Sequence, residues 1–243
     1  MFINNRRKQE ITMIVAALIA FFVCSSTTMA MEWVVYEADV LPNDAKLGDN
    51  IWEVVEGSEE NMKIEDGVLH ANTTKDNGAP FRMARYPAKL SKATIEVRLK
   101  VVQVVGQTGW AAYFGLHDPK SVAYVLCEDQ QLQVYAAECG GWRPCPQDID
   151  MTEYHIVRLT KDGEDFKVYL DDENKPLWEG KGEAGEVEEP TVTLGDGTGT
   201  AGAESYWDYV AYTTDGAFPP DVPVVFAVAS GGKLTTTWAA IKR

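Results

Sequence analysis

Residues Tyr154–Asp171 read YHIVRLTKDGEDFKVYLD, two apolar–polar alternations on either side of an Asp-Gly. His155, Val157 and Leu159 fall on one face of the first run, and Phe166, Val168 and Leu170 on one face of the second. Successive strand side chains point to opposite faces, so the spacing predicts two half-buried strands joined by a Lys161-Asp162-Gly163-Glu164 turn. The same pattern extends outward in both directions. Ala93, Ile95, Val97, Leu99 and Val101 alternate with Thr94, Glu96, Arg98 and Lys100, which predicts a strand with one buried face and one charged, solvated face. Met62–Glu65 and Val68–Asn72 flank Asp66-Gly67 as a second tight hairpin. Thr108–His117, Val122–Glu128 and Gln131–Ala137 read as a meander, and Trp33–Val40, Ile51–Glu56, Phe81–Tyr86, Pro176–Glu179, Thr191–Leu194 and Ser205–Thr213 as further strands. The best helical candidate is the short Thr236–Lys242 segment, and no internal repeat is visible. Many short strands with Gly and Asp turns predict an all-β fold, a two-sheet antiparallel β-sandwich of the jelly-roll kind.

The chain has 243 residues. Residues 1–30 have the layout of a secretory signal peptide: Arg6, Arg7 and Lys8, then the apolar run Ile11–Cys24, then Thr28-Met29-Ala30. The run is shorter than the about 20 residues a membrane span needs, so no stable membrane insertion is expected after cleavage. An uncleaved N-terminal anchor is the competing reading. The expected location is secreted, periplasmic or cell-surface. Residues 31–216 are expected to form one domain. Residues 217–243 are expected to be a Pro-rich linker, Phe218-Pro219-Pro220-Asp221-Val222-Pro223, and a short tail. The formal charge is −15; residues 1–30 carry a net +2, which leaves −17 on the rest. So acidic a chain argues against nucleic acid or an anionic membrane as partner. Export permits disulfides. Cys139 and Cys145 flank a short loop and make a plausible pair, while pairing of Cys127 with either stays open.

Several stretches carry a family resemblance. Ile51-Trp52-Glu53-Val54-Val55-Glu56-Gly57 and Ile64-Glu65-Asp66-Gly67-Val68-Leu69 resemble the opening of bacterial secreted concanavalin A-like lectin/glucanase domains. The Tyr154–Asp171 hairpin is similar to the late hairpin of their laminin-G-like members. Leu194-Gly195-Asp196-Gly197 with Ser205-Tyr206-Trp207-Asp208-Tyr209-Val210 resembles their closing turn and last strand. The resemblance spans about Trp33–Gly216 and implies a jelly roll with a curved inner sheet. Members include lectins, carbohydrate-binding modules, glycoside hydrolases and adhesion modules, so the fold does not fix the function.

Glycoside hydrolysis needs two carboxylates about 5–9 Å apart, one protonated and one ionised. The Glu-x-Asp-x-Glu run that laminarinase-like relatives carry is absent. Asp148 with Asp150, and Glu179 with Glu183, read as solvated loop carboxylates. Sugar binding instead needs aromatic platforms with amides and cations around them. The meander supplies Tyr113, Tyr124, Gln131, Gln133, Tyr135, Trp142 and Arg143. Gln131, Gln133 and Tyr135 share one strand face, and Trp142 sits in a Gly-flanked loop; Trp110 reads as core. Asp196 and Asp208 are weak candidates for the structural calcium that some relatives bind. His70, His117 and His155 have no zinc-ligand spacing, and no Gly-x-Ser-x-Gly or phosphate loop is present. The expectation is a noncatalytic domain that binds a glycan or cell-surface ligand through Trp142 and nearby tyrosines. The alternatives are a glycoside hydrolase or an adhesion module.

Overall fold

The computed structural model describes residues 31–75, 81–106, 110–140, 145–196 and 200–226. Residues 1–30, where a signal peptide is expected, Trp142, Arg143 and the helical candidate 236–242 lie outside them. The chain divides into Met1–Met31 and Glu32–Arg243, and all described strands belong to the second unit. In chain order these are β1 (Val34–Tyr36), β2 (Glu53–Glu56), β3 (Met62–Glu65), β4 (Val68–Asn72), β5 (Phe81–Arg85), β6 (Lys92–Gly106), β7 (Ala112–His117) and β8 (Ser121–Glu128). They continue as β9 (Gln131–Tyr135), β10 (Cys145–Asp148), β11 (His155–Asp162), β12 (Asp165–Leu170), β13 (Trp178–Lys181), β14 (Glu183–Ala184), β15 (Thr191–Asp196) and β16 (Ala201–Thr213).

Two antiparallel sheets pack face to face, as the alternation predicts. The first runs β13-β12-β11-β6-β16-β4-β3, with β1 also pairing with β16. The second runs β10-β9-β8-β7-β15-β5-β2, with β14 also pairing with β8. Inward side chains of β6 (Ala93, Ile95, Val97, Leu99 and Val101) share one core with Phe114, Leu116, Val125, Leu132, Val134, Val192 and Leu194 of the second sheet. Trp52 and Trp207 complete that core. Burying a side chain of this size contributes about 1.5–3 kcal/mol, so the inner face, not turn chemistry, fixes the register.

Three details differ from the sequence expectation. Asp148 reads as a loop carboxylate yet ends an edge strand, Cys145–Asp148, on β9; Pro146 is tolerated there because an edge strand leaves amides without ladder partners. Lys161 is expected in a turn; it lies inside β11, one residue before its end, and is fully buried between the sheets. The turn itself narrows to Gly163-Glu164, with Gly163 at φ +65°. The outer face of β6 was expected to be solvated throughout. Thr94 and Glu96 are instead buried, because the C-terminal segment lies over them. Arg158 Nε donates to Glu96 Oε2 at 2.6 Å, and Tyr209 Oη donates to Glu96 Oε1 at 2.7 Å. Arg158 Nη1 donates to the carbonyls of Phe218, Pro219 and Val222, and the Phe218 amide donates to Thr94 Oγ1 at 2.8 Å.

Lys161 links the two sheets. Its ammonium lies 3.2 Å from the Asp118 carboxylate and donates to Ser121 Oγ at 2.5 Å and to the Gly163 carbonyl. Asp118 also accepts from the amides of Lys120 and Ser121 at 2.8 and 2.9 Å, so one carboxylate holds both the β7–β8 turn and the lysine. Breaking one partner of a buried pair strands the other charge, whereas replacing both is far less costly. Asp118→Asn keeps a turn acceptor but removes the charge; it should cost about 3 kcal/mol by urea unfolding. The same substitution in a Lys161→Met background should cost under about 1 kcal/mol.

Candidate functional site

The outer face of the second sheet is organised in rows of paired residues, since partners across a ladder share a face. One row runs Glu56, Arg82, Gly195, Tyr113, Leu126, Gln133. The next runs Glu53, Ala84, Thr193, Gly115, Tyr124, Tyr135. A third contains Thr191, His117, Val122 and Glu183. The middle strands therefore carry small side chains, and larger ones rise on both sides. The result is a cleft of about 280 Å³ lined by Arg82, Ala84, Thr191 and Thr193, by Tyr124 and His117 on one wall, and by Val55 and Tyr86 on the other. Val187, Glu188 and Glu189 close one end.

The Tyr124 wall is an aromatic cluster. Trp110 lies over it, with ring centroids 5.8 Å from Tyr113, 5.4 Å from Tyr124 and 5.4 Å from Tyr135. Tyr124 in turn contacts Tyr113 edge-on at 5.7 Å. Edge-to-face and tilted contacts of this kind each contribute about 0.5–1.5 kcal/mol beyond area burial. Trp110 was expected in the core; it lies half-buried on the outer face because the tyrosines below supply its apolar seat. Gly115 makes the arrangement possible. A Cβ there would run into the Tyr124 ring and stand 2.8 Å from the Ala123 carbonyl, so glycine lets the ring lie against the sheet.

His117 orders the hydroxyl of Tyr124. The Glu186 amide donates to His117 Nε2 at 3.2 Å, and Nδ1 lies 3.1 Å from Tyr124 Oη. A backbone N–H can only donate, so Nε2 is an acceptor and the neutral ring carries its proton on Nδ1. The ring then donates to Tyr124 Oη, which leaves the phenolic proton as a donor for other partners. Burial lowers the His117 pKa, with Asp118 and Glu186 opposing, and this favours the neutral ring. Burial also pushes the Tyr124 phenol up to about 12, so it stays protonated at neutral pH.

The structure brings Tyr113, Tyr124, Tyr135, Gln131 and Gln133 together on this face, but of these Tyr124 alone lines the cleft. Gln133 is buried at 7% exposure, and its amide donates to Glu128 Oε1 at 2.9 Å and Gln131 Oε1 at 3.0 Å. The two glutamines thus brace the cluster from the side. Arg82, Tyr86, His117, Thr193 and the 187–189 stretch were not singled out from sequence. They come from four separate segments, and only the ladder register unites them. The short aliphatic and glycine positions in β5, β7 and β15 were the available signal.

The calcium candidates are placed apart and have other partners. Asp196 is buried at the end of β15; its Oδ2 accepts from Thr73 Oγ1 and from the Ala203 amide at 3.2 Å. Asp208 sits at a bulge in β16 and pairs with Arg98 at 2.6 Å. Among the described residues no group of three or more His, Cys, Asp or Glu side chains converges as metal ligands would. Cys139 and Cys145 form a disulfide, and Cys127 is a buried free thiol. Asp148, Asp150 and Glu179 are exposed, the last 3.3 Å from Lys167. Among the described residues no helix is long and apolar enough to cross a membrane.

No protein-family model matches the sequence, and no curated protein matches it. Solved structures do match in fold. A protein from a study of endo-acting O-glycanases that human gut microbiota express to initiate mucin breakdown is 14% identical, covering 74% of this chain and 98% of that one at a TM-score of 0.50. A conserved carbohydrate esterase from the Shiga toxin-encoding bacteriophage phi24B is 14% identical, covering 76% of this chain and 99% of that one at a TM-score of 0.50. The catalytic domain of a Thermotoga petrophila RKU-1 laminarinase, 14% identical, covers 76% of this chain and 100% of that one at a TM-score of 0.49. The chain has the concanavalin A-like jelly-roll fold.

Gly115→Ala should cost about 1–3 kcal/mol in urea unfolding, the range of an overpacked site, with a change in Tyr and Trp fluorescence as the cluster shifts. His117 has a folded pKa below its unfolded value, so its neutral form contributes stability that is complete above about pH 6.5. That contribution is lost as pH falls through the folded pKa, because the unfolded chain takes up the proton more readily. The urea midpoint of the wild type should therefore fall relative to His117→Gln as pH drops below about 6.5. Parallel midpoints on acidification would contradict a folded His117 pKa below the unfolded one.

Proposed function

We propose that this protein is an exported, noncatalytic glycan-binding domain whose binding site is the outer-face cleft of the second sheet. One observation carries the reading. Tyr86, at 45% exposure, and the half-buried Tyr124 flank a small-residue floor in a cleft that also holds the Arg82 guanidinium. Large exposed apolar side chains are costly in water, and here Ile51, Val55 and Tyr86 gather along the β2–β5 side. A pyranose has apolar faces that suit aromatic rings and equatorial hydroxyls that suit an arginine fork, threonine hydroxyls and a phenolic donor. The Tyr124 proton freed by His117 adds a directed donor. Two solved structures of the same fold come from work on carbohydrate-active enzymes, which makes glycans the first ligand class to try. Export accords with the Cys139–Cys145 disulfide, a bond that persists in oxidising compartments.

A hydrolase reading draws on one feature, the Glu188 and Glu189 carboxylates in the cleft lining. They are neighbours on one stretch at one end, whereas glycoside hydrolysis needs carboxylates flanking the bond from two sides. Glu37, whose pKa is raised by burial and by Asp39 and Asp208, is not part of that lining.

Titration calorimetry of the purified protein against a panel of oligosaccharides, with and without calcium, checks the proposal. Binding without release of reducing sugar is expected. Tyr86→Ala and Tyr124→Ala should each weaken it at least tenfold, or about 1.4 kcal/mol, and Tyr86→Ala should leave the urea midpoint unchanged. Sugar release would transfer the site to the hydrolase reading. Silence across the panel would end the glycan reading and leave an adhesion module.

A further inference from the structure

We infer that the cleft takes uncharged glycan chains and turns away chains that bear carboxylate, sulfate or phosphate groups. This rests on the glycan-binding reading of the same cleft and goes beyond it to the class of ligand.

The argument begins with the charges on the outer face. Glu188 and Glu189 stand in the lining itself. Glu53 pairs with Ala84 of the floor, and Glu56 pairs with Arg82, so both share the cleft's face. Glu183 pairs with Val122, which pairs with His117 of the wall. Glu186 is tied to the same histidine through its amide. Carboxylates therefore stand at both walls and at the closed end, while Arg82 is the cationic side chain in the lining.

The two walls feel this field. Burial raises the Tyr86 phenol pKa first; Glu53 and Glu189 raise it further, and Arg82 opposes them. At the aromatic cluster, burial raises Tyr135, and Glu183 and Glu186 add to it. A group that resists ionising beside these glutamates reports a place where an added negative charge is disfavoured. A neutral sugar carries no such charge and keeps its ring stacking and its hydrogen bonds to Arg82.

Arg82 sharpens the question, since it is the group an anion would seek. A lone guanidinium ringed by carboxylates is compensated at long range. It still offers planar, directed N–H donors to vicinal hydroxyls at short range. The cleft therefore uses Arg82 for shape, not for charge. Exposed carboxylates act over about 10 Å at 0.1 M salt and much less at 0.5 M, so the discrimination has to be salt-dependent.

The test pairs each of laminarihexaose and cellohexaose with its C6-oxidised form, which adds carboxylates to the same backbone. Affinities are measured at low and high sodium chloride with the full purified protein. The expected result is that the oxidised form binds at least about tenfold more weakly than the neutral one at 20 mM salt. The gap should close to about threefold or less at 0.5 M salt. Glu188→Gln/Glu189→Gln should narrow the ratio of the two affinities at low salt. Arg82→Gln should weaken the neutral form. Equal affinities at low salt, or a preference for the oxidised form that Arg82→Gln abolishes, would overturn the inference while leaving the glycan reading intact. Failure of all four sugars to bind would overturn the inference for these backbones, whereas only silence across the full oligosaccharide panel would end the glycan reading.

Discussion

Every strand of this protein has two faces, and only one of them can satisfy its neighbours with apolar contact. Ile95, Val97, Leu99 and Val101 on β6 project inward, and their partners on β11 and β16 must do the same or leave the core. A slip of one residue would exchange the whole set for Thr94, Glu96, Arg98 and Lys100. The central pairing of β6 with β16 is therefore held by burial along its length, and the other strands take their register from it. The second sheet obeys the same constraint through Phe114, Val125 and Val134. What the outer faces do is then free to differ.

The first sheet closes part of its outer face. Arg158 is 2% exposed, and a buried guanidinium is tolerable only when its donors are satisfied. Glu96 supplies the counter-charge, and the C-terminal segment supplies carbonyls from Phe218, Pro219 and Val222. Prolines suit this role because they cannot donate to a ladder yet keep a carbonyl to offer. Trp33 lies against the same guanidinium at 5.8 Å, and Phe226 packs edge-on against Tyr209 at 5.3 Å. The segment that follows the last strand is thus a working part of the first sheet.

Among the described residues the second sheet leaves part of its outer face open, and the cleft follows from the small side chains there. Gly115, Ala84 and Thr193 lie side by side across β7, β5 and β15, too small to fill the space above the sheet. Tyr124 then leans over Gly115, Trp110 leans over the tyrosines, and His117 fixes the Tyr124 hydroxyl by means of the Glu186 amide. The loop that ends the cleft is tied to its aromatic wall through that histidine. A groove lined with rings, one arginine and a fringe of glutamates is the chemical consequence.

The sequence by itself determined the two-sheet jelly roll, both Gly-centred hairpins and the inward apolar residues of β6, β11 and β12. These depend on period-two alternation and on turn chemistry, which are local. It also marked Tyr113, Tyr124 and Tyr135 as members of one polar and aromatic face. Only the tertiary structure decided that Lys161 is a buried link between sheets, that Arg158 gathers the C-terminal carbonyls, and that Arg82, Tyr86, His117 and Glu189 meet around one floor. Those groups come from segments far apart in the chain. Their meeting depends on strand order and register, which sequence periodicity does not encode.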